Sequence, residues 1–511
     1  MINPGVPLCR GTPDLFMHTA NNDLAIGLHA DRATGHPWHC RLHASLCLKA
    51  DPLFVFPDRI VPGESIWRGS QIWAEAFTAA GLVRGDRIVI GLEPSPAFLM
   101  VLVAALSEGL TVAMVAAERR AERGQLLAEL DARLFIGDTG FAGVLPDCDG
   151  VPSANICELN EATGQPTPEI CMLMRTSGSS GTAKTVALST LNIMTVIDAH
   201  MPSMGLEGAV VLSLLPWHHS FGLIINLLPA IFAGSTVVRE ATGGREVRSI
   251  LEMARMYPPT HMSMVPLQAE RLSETAEGLA LLQSLYGGAV GGAPVGTALA
   301  STLSGTRLRA GYGQTEASPG VSLGEPGVWC AGYIGTPLGC RTRIGDSGVL
   351  EVYGDNVCMG VWAGKKLVKL EDDRWLNTGD VVRPATIGDA GGLVFIGRVD
   401  ANIKLANGRL VDVGSIEAAI RRRVGGVSEA WVCSPDGHQL VLGVLLLRGA
   451  TAPLHRACAA CFGVLADRFT GIVTLNHHAL PRTGKGAVDR SRLAEAIGHA
   501  TSIGAGNKQR R

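Results

Sequence analysis

The chain has 511 residues, 47% of them hydrophobic and 18% charged, a length and balance that call for more than one folded core. Its 44 basic and 46 acidic residues leave a net charge of −2, which excludes the basic field of a nucleic-acid binder and favours small-molecule chemistry. Twelve cysteines lie scattered without the spacing of a disulfide framework, and no basic stretch followed by an apolar one opens the chain, so a reducing cytoplasm is the expected location.

Short β-rich runs alternate with helix-length segments through the first two thirds. Residues 86–92 read as a strand, 95–108 as a helix and 111–115 as the next strand, and the rhythm returns at 209–215, 221–232 and 235–238. Strand, helix, strand at this spacing predicts parallel α/β layers. The most apolar stretches, 97–117 and 221–234, contain Ser107 and Glu108 in one case and Asn226 and Pro229 in the other, which predicts core elements and no membrane span. From about Arg341, glycine-punctuated short strands such as 348–354 and 392–397 point to a β-rich subdomain. Beyond it lies a unit with its own helices, 414–424 and 454–465, and its own strand, 440–447, so Asp400 is the expected boundary between a large domain, 1–399, and a small α+β domain, 400–511. His455, Cys458 and Cys461 have metal-like spacing, but zinc wants four ligands and no second pair lies nearby; they are expected to share one face of a buried helix.

The run TSGSSGTAKT at 176–185, with an apolar stretch on each side, is built to hold phosphate. Its glycines Gly178 and Gly181 let backbone N–H groups turn toward an anion, the hydroxyls of Thr176, Ser177, Ser179 and Ser180 add donors, and Lys184 adds a mobile positive charge. A Walker loop is the second reading. That pattern needs glycine where Ala183 stands, and a helix afterwards, whereas the chain continues as Val186-Ala187-Leu188.

Five further islands follow: LPWHHSFGL at 215–223, GGAP at 291–294, GYGQTE at 311–316, WLNTGD at 375–380 and GRVD at 397–400. Alone, Glu316 could cap a helix, Asp380 could end a turn and Tyr312 could be core. In this order, together with the loop at 176–185, the islands closely resemble the adenylate-forming superfamily of acyl- and aryl-CoA synthetases, peptide-synthetase adenylation domains and luciferases, over most of the chain. The resemblance implies ATP-dependent activation of a carboxylic acid as acyl-AMP, pyrophosphate release and transfer to a thiol of CoA or of a carrier protein in trans. It also implies a small domain that swings about Asp400. Thr176 to Lys184 would embrace the β- and γ-phosphates; Glu316 would hold Mg²⁺ and Thr315 would touch the α-phosphate. Tyr312, with Gly313 and Gln314 beside it, would stack on adenine, lined opposite by Gly291, Gly292 and Ala293. Asp380 would accept the ribose hydroxyls, with Arg398 helping at the sugar.

His218 and His219 also open the acyl-transfer motif of condensation domains, but that motif needs Asp-Gly where Leu223 and Ile224 stand. In the adenylating family this histidine gates the acyl pocket, and His219 with Gly222 matches that role. Amino-acid-activating members hold an aspartate next to it for the substrate ammonium; here Ser220 occupies the position, and a hydroxyl cannot balance a buried cation. Trp217, Phe221, Leu223 and Ile225 point to an apolar aryl or acyl acid.

The chain departs from the family in three places. In LPRTGKGAVDR at 480–490 the gap-free position of the catalytic lysine holds Ala487, and Lys485, two residues earlier, serves only if the loop re-registers. Ala183 and Thr185 flank Lys184 where Pro and Gly are usual. Asn407 stands where a glycine lines the pantetheine tunnel, with Gly408 next. A non-thiol acceptor, or an ATP-binding protein without catalysis, is therefore the alternative to the ligase.

Overall fold

The computed structural model describes residues 37–48, 53–137, 155–159, 165–177, 183–345, 348–371, 375–399, 403–405, 410–411, 413–434, 438–447, 449–451, 455–476, 480–481, 488 and 492–497. Three sheets carry the part before residue 400. The first runs Lys366–Lys369, Gly360–Ala363, Ala183–Leu188, Met172–Ser177, Thr111–Met114, Arg87–Gly91, Leu134–Gly137, Asn155–Leu159 from edge to edge. Its centre is parallel, with Arg87–Gly91 between Thr111–Met114 and Leu134–Gly137, as the strand–helix–strand rhythm predicts.

The helix Pro96–Ser107 makes the crossover. Ser95 accepts the Phe98 N–H at its start, and Pro96 sits in the first turn, where a missing N–H costs nothing. Every residue of this helix is buried, so its uniform apolarity is that of a central element. No helix among the described residues is long and apolar enough to cross a membrane.

Met172–Ser177 and Ala183–Leu188 are antiparallel neighbours, with Thr176 opposite Lys184. A Walker loop leads from a strand into a helix, so the hairpin removes that reading. The β-rich stretch after Arg341 is present, and it completes two sheets. Leu376–Ile387 and Ala390–Arg398 form a long hairpin in the second sheet, which begins with the parallel pair Ala289–Gly291 and Arg309–Tyr312. Gly360–Ala363 crosses back to pair with Ala183–Leu188. The third sheet sets Val210–Ser213 parallel to Thr236–Arg239.

The segment predicted as one helix over 221–232 divides. Phe221–Leu227 is π-helical, with the Leu228 N–H bonded to the Leu223 carbonyl, and Leu228–Ala233 is α-helical. Pro229 has no N–H for the Ile225 carbonyl, which breaks the regular α ladder here. Beyond Val399, Val413–Arg423 packs on a three-stranded sheet of Val427–Cys433, Leu440–Leu446 and Phe469–Thr474. Asp400 lies outside the described residues. The expected buried helix at 454–465 is instead an α-helix over His455–Ala459 and a 3₁₀ stretch over Ala460–Leu465, kinked at Gly463 with φ 54°. Cys458 is buried, Cys461 is half-buried, and His455 is exposed and stacks on Phe469, so the three do not share a buried face.

Candidate active site

One cavity of about 1180 Å³ collects most of the predicted site residues. Gly291, Gly292 and Ala293 leave the end of Ala289–Gly291, beside the parallel strand Arg309–Tyr312. A side chain at 291 would put its Cβ 2.4 Å from the Gly311 carbonyl oxygen, and Gly292 has φ +85°, so the wall here is backbone by necessity. The turn after Tyr312 is tighter still, because a Cβ on Gly313 would lie 1.3 Å from the Pro319 oxygen. Gln314 heads the 3₁₀ turn Thr315–Ala317, which carries Thr315 and Glu316 into the cavity.

Asp380 is buried on the long hairpin, directly across from Arg398. Arg398 donates to one carboxylate oxygen at 2.7 Å, and the Tyr312 hydroxyl donates to the other at 2.6 Å. Burial and the Asp380 charge push the Tyr312 phenol up, so it stays a donor. Thr378 holds the turn, giving its hydroxyl proton to the Leu350 carbonyl and accepting the Asp380 N–H. Tyr312 and Asp380 are 68 residues apart, and their bond was not predicted.

Thr176 and Lys184 face the cavity from the hairpin, and Ser177 ends its first strand. Gly178, Ser179, Ser180 and Gly181 lie outside the described residues, as do Lys485, Ala487, Asn407 and Gly408. Leu480, five residues before Lys485, is buried in the cavity wall.

At the other end, His219 and Ser220 precede the π-helical turn. Ser220 and Thr315, both buried, share a hydrogen bond of 3.1 Å. Gly222 is obligatory, since a Cβ there would meet the Pro216 oxygen at 2.2 Å. Trp217 is fully buried, its indole N–H on the Ser213 hydroxyl, so it supports the wall from behind. The His218 and His219 rings meet at a tilt of 52° with centroids 4.4 Å apart, and burial together with the Arg239 charge lowers the His218 pKa to about 4.

Gly243, Gly244, Gln268 and His200 in this wall were not predicted. Gly243 and Gly244 are held by Glu240, which accepts the Gly244 N–H, and by Gln268, which donates to the Gly243 carbonyl. The signal for this loop was the glycine pair Gly243-Gly244 shortly after the strand Thr236–Arg239. His200 reaches the cavity from the helix Thr190–Met204. Among the described residues no three His, Cys, Asp or Glu side chains form a metal cluster, so Glu316 enters the cavity as a carboxylate outside any such group.

The sequence profile of the AMP-binding enzymes matches residues 64–360. A long-chain-fatty-acid–CoA ligase of Salmonella typhimurium is 28% identical over 293 residues, 53% of this chain and 51% of the relative. The chain thus spans about half the length of that relative. A feruloyl-CoA synthase of Amycolatopsis is 27% identical over 348 residues, 60% of this chain and 68% of the relative. Among solved structures, ATP-bound MatB from Rhodopseudomonas palustris superposes with a TM-score of 0.68 at 21% identity, covering 89% of this chain and 98% of that one; at this identity the likeness speaks for the fold. The profile match covers more than half of the chain, and the chain belongs to the AMP-binding enzyme family.

Proposed function

We propose that the chain activates an aryl or acyl carboxylic acid without an α-ammonium as its acyl-adenylate, in the cytoplasm. It then passes the acyl group to a thiol, of CoA or of a carrier protein in trans. The observation that carries this reading is the single cavity in which Thr176, Lys184, Gly291–Ala293, Tyr312–Glu316, Asp380 and Arg398 meet His219, Ser220, Phe221 and Ile225. Activation brings two anions together: a carboxylate oxygen bonds to the α-phosphorus while the α–β phosphoanhydride breaks. The groups that make this possible are donors and cations placed before the reaction begins.

Lys184, opposite Thr176, has the charge and place for the β- and γ-phosphates and for departing pyrophosphate. Thr315 offers a hydroxyl to the α-phosphate while Ser220 holds its rotamer. Asp380, oriented by Arg398 and Tyr312, accepts from ribose hydroxyls, and the glycine wall takes the flat base. A lone carboxylate suits Mg²⁺, which keeps waters and binds mostly through substrate phosphates; Glu316 would hold it, and it would supply charge neutralisation at those phosphates. Lys485 is assigned to the carboxylate and α-phosphate, and the small domain, from Asp400 on, to the change of orientation between the half-reactions. The thiol then attacks the acyl carbon and AMP leaves.

ATP–pyrophosphate exchange over a panel of benzoate-like, medium-chain and amino acids tests the first half. Exchange with apolar acids is expected, and exchange with amino acids alone overturns the assignment of Ser220. Thioester formation on adding CoA tests the second half.

A further inference from the structure

His200 is 2% exposed, yet it lines the cavity. Other buried polar side chains of the wall are engaged within the protein. Gln268 accepts the Val265 N–H and donates to Gly243, and the Ser322 hydroxyl donates to the Ile334 carbonyl. His200 is half engaged. Its Nδ1 lies 2.9 Å from the Val196 carbonyl one helical turn back. A carbonyl oxygen only accepts, so Nδ1 carries the proton, and in the neutral ring Nε2 is left with an unshared lone pair. Burial lowers the basicity of the ring and keeps it neutral. No described residue donates to Nε2.

The ring is also held in place. A Cβ on Gly320 would lie 2.7 Å from Cε1 and 3.1 Å from Nε2 of His200, so only glycine leaves room for the imidazole at this wall. The helix bearing His200 packs on the π-helical turn whose Phe221, Gly222 and Ile225 form the apolar lining. An acceptor in such surroundings is costly unless a ligand donor meets it.

We propose that His200 selects the acid, with Nε2 accepting a hydrogen bond from a donor on the substrate away from its reacting carboxylate. A ring hydroxyl on an aryl acid is the group that fits an apolar wall with one acceptor. A second carboxylate is rejected, because acceptor would face acceptor. This rests on the acid-activation reading above.

Pyrophosphate exchange with acid pairs that differ only by a hydroxyl, 4-hydroxycinnamate against cinnamate and 3- or 4-hydroxybenzoate against benzoate, tests it. The hydroxylated member of at least one pair is expected to show about tenfold or more higher kcat/KM, as when a site built for a hydroxyl meets an analogue lacking it. His200→Leu should erase the preference and His200→Gln, whose amide oxygen still accepts, should keep part of it, with ATP affinity by calorimetry unchanged in both. In histidine-labelled protein, ¹⁵N NMR should show the neutral Nδ1–H form at about pH 7. The Nε2 resonance should move on adding the preferred hydroxy acid and stay in place with its partner. If the leucine variant does not fold, the glutamine variant and the resonance decide. Rates equal within about twofold across every pair in the wild-type protein, or a preference that survives His200→Leu, overturn the role of His200 and leave acid activation standing. Exchange with no acid at all removes both.

Discussion

The two ends of the cavity are built on different plans. At one end, Gly291–Ala293 and Tyr312–Glu316 are consecutive residues at strand ends, and much of what they offer is backbone that no side chain could replace. At the other, beside the run 219–222, residues such as His200, Ile225, Gln268 and Gly320 come singly from separate parts of the chain. Recognition by backbone needs a run of neighbours with particular conformations, whereas recognition by side chains needs one residue per element. The first plan leaves islands in a sequence and tolerates little change; the second, outside the run 219–222, leaves isolated residues.

Gly313→Ala tests the rigid end and should have the largest effect. The new Cβ would overlap the Pro319 oxygen at 1.3 Å, and neither backbone can yield without moving the turn that carries Thr315 and Glu316. A loss of about 3 kcal/mol or more in stability is expected, with ATP binding lost. Denaturant unfolding and calorimetry check both, and a variant that keeps its stability and nucleotide affinity would break the comparison at its root.

Asp380→Ala should come next. It strips Tyr312 and Arg398 of their shared acceptor and leaves the ribose hydroxyls without a charged partner. ATP affinity should fall by about 1.5–3 kcal/mol, roughly ten- to a hundredfold. Unchanged affinity by calorimetry would remove the assignment of this end to the nucleotide.

This difference in plan also sets what could be read from the chain. The parallel layers, the buried Pro96–Ser107 helix and the runs 291–294 and 311–316 of the cavity wall were legible, because periodicity and short runs record local structure. The Tyr312–Asp380 bond was not, since nothing local links residues on separate strands of a sheet. His200 was not either, because a histidine in the run Leu191–His200 looks like any residue of an amphipathic helix until the fold shows what faces it. The π-helical turn was missed although Pro229 marked it, because a proline near a helix start is also an ordinary first-turn residue.

A pH titration sharpens the comparison at the acyl end. His218 is neutral in the folded protein down to about pH 4, well below the 6.5 of an unburied ring. The unfolded chain therefore binds the extra proton first, and the contribution of this group to stability is lost as pH falls from 6.5 toward 4 and is constant above that window. A decline of about 1–2 kcal/mol is expected from this half-buried ring, and His218→Gln should flatten it. Burial also lowers His200 and His261, so some slope should remain. Melting temperatures that are independent of pH across this range in the wild-type protein would show that the acyl end is open to water.

The smallest effect should come from Ser220→Ala, at the point where the two plans meet. Ser220 precedes the π-helical turn of the acyl end, Thr315 belongs to the nucleotide end, and their hydroxyls are 3.1 Å apart and buried. Removing one hydroxyl costs about 1 kcal/mol of a neutral hydrogen bond, because Thr315 keeps its place in the 3₁₀ turn and loses only a constraint on its rotamer. The rate of pyrophosphate exchange should fall by roughly fivefold, a size that follows from that energy. What distinguishes this bond from an ordinary packing contact is which constants move. A link between the two ends predicts that the KM values for acid and ATP rise together, whereas a contact serving only the acyl wall would raise the acid term alone. If only the acid term moves, the two ends are assembled independently, and the nucleotide end owes its geometry to its own backbone.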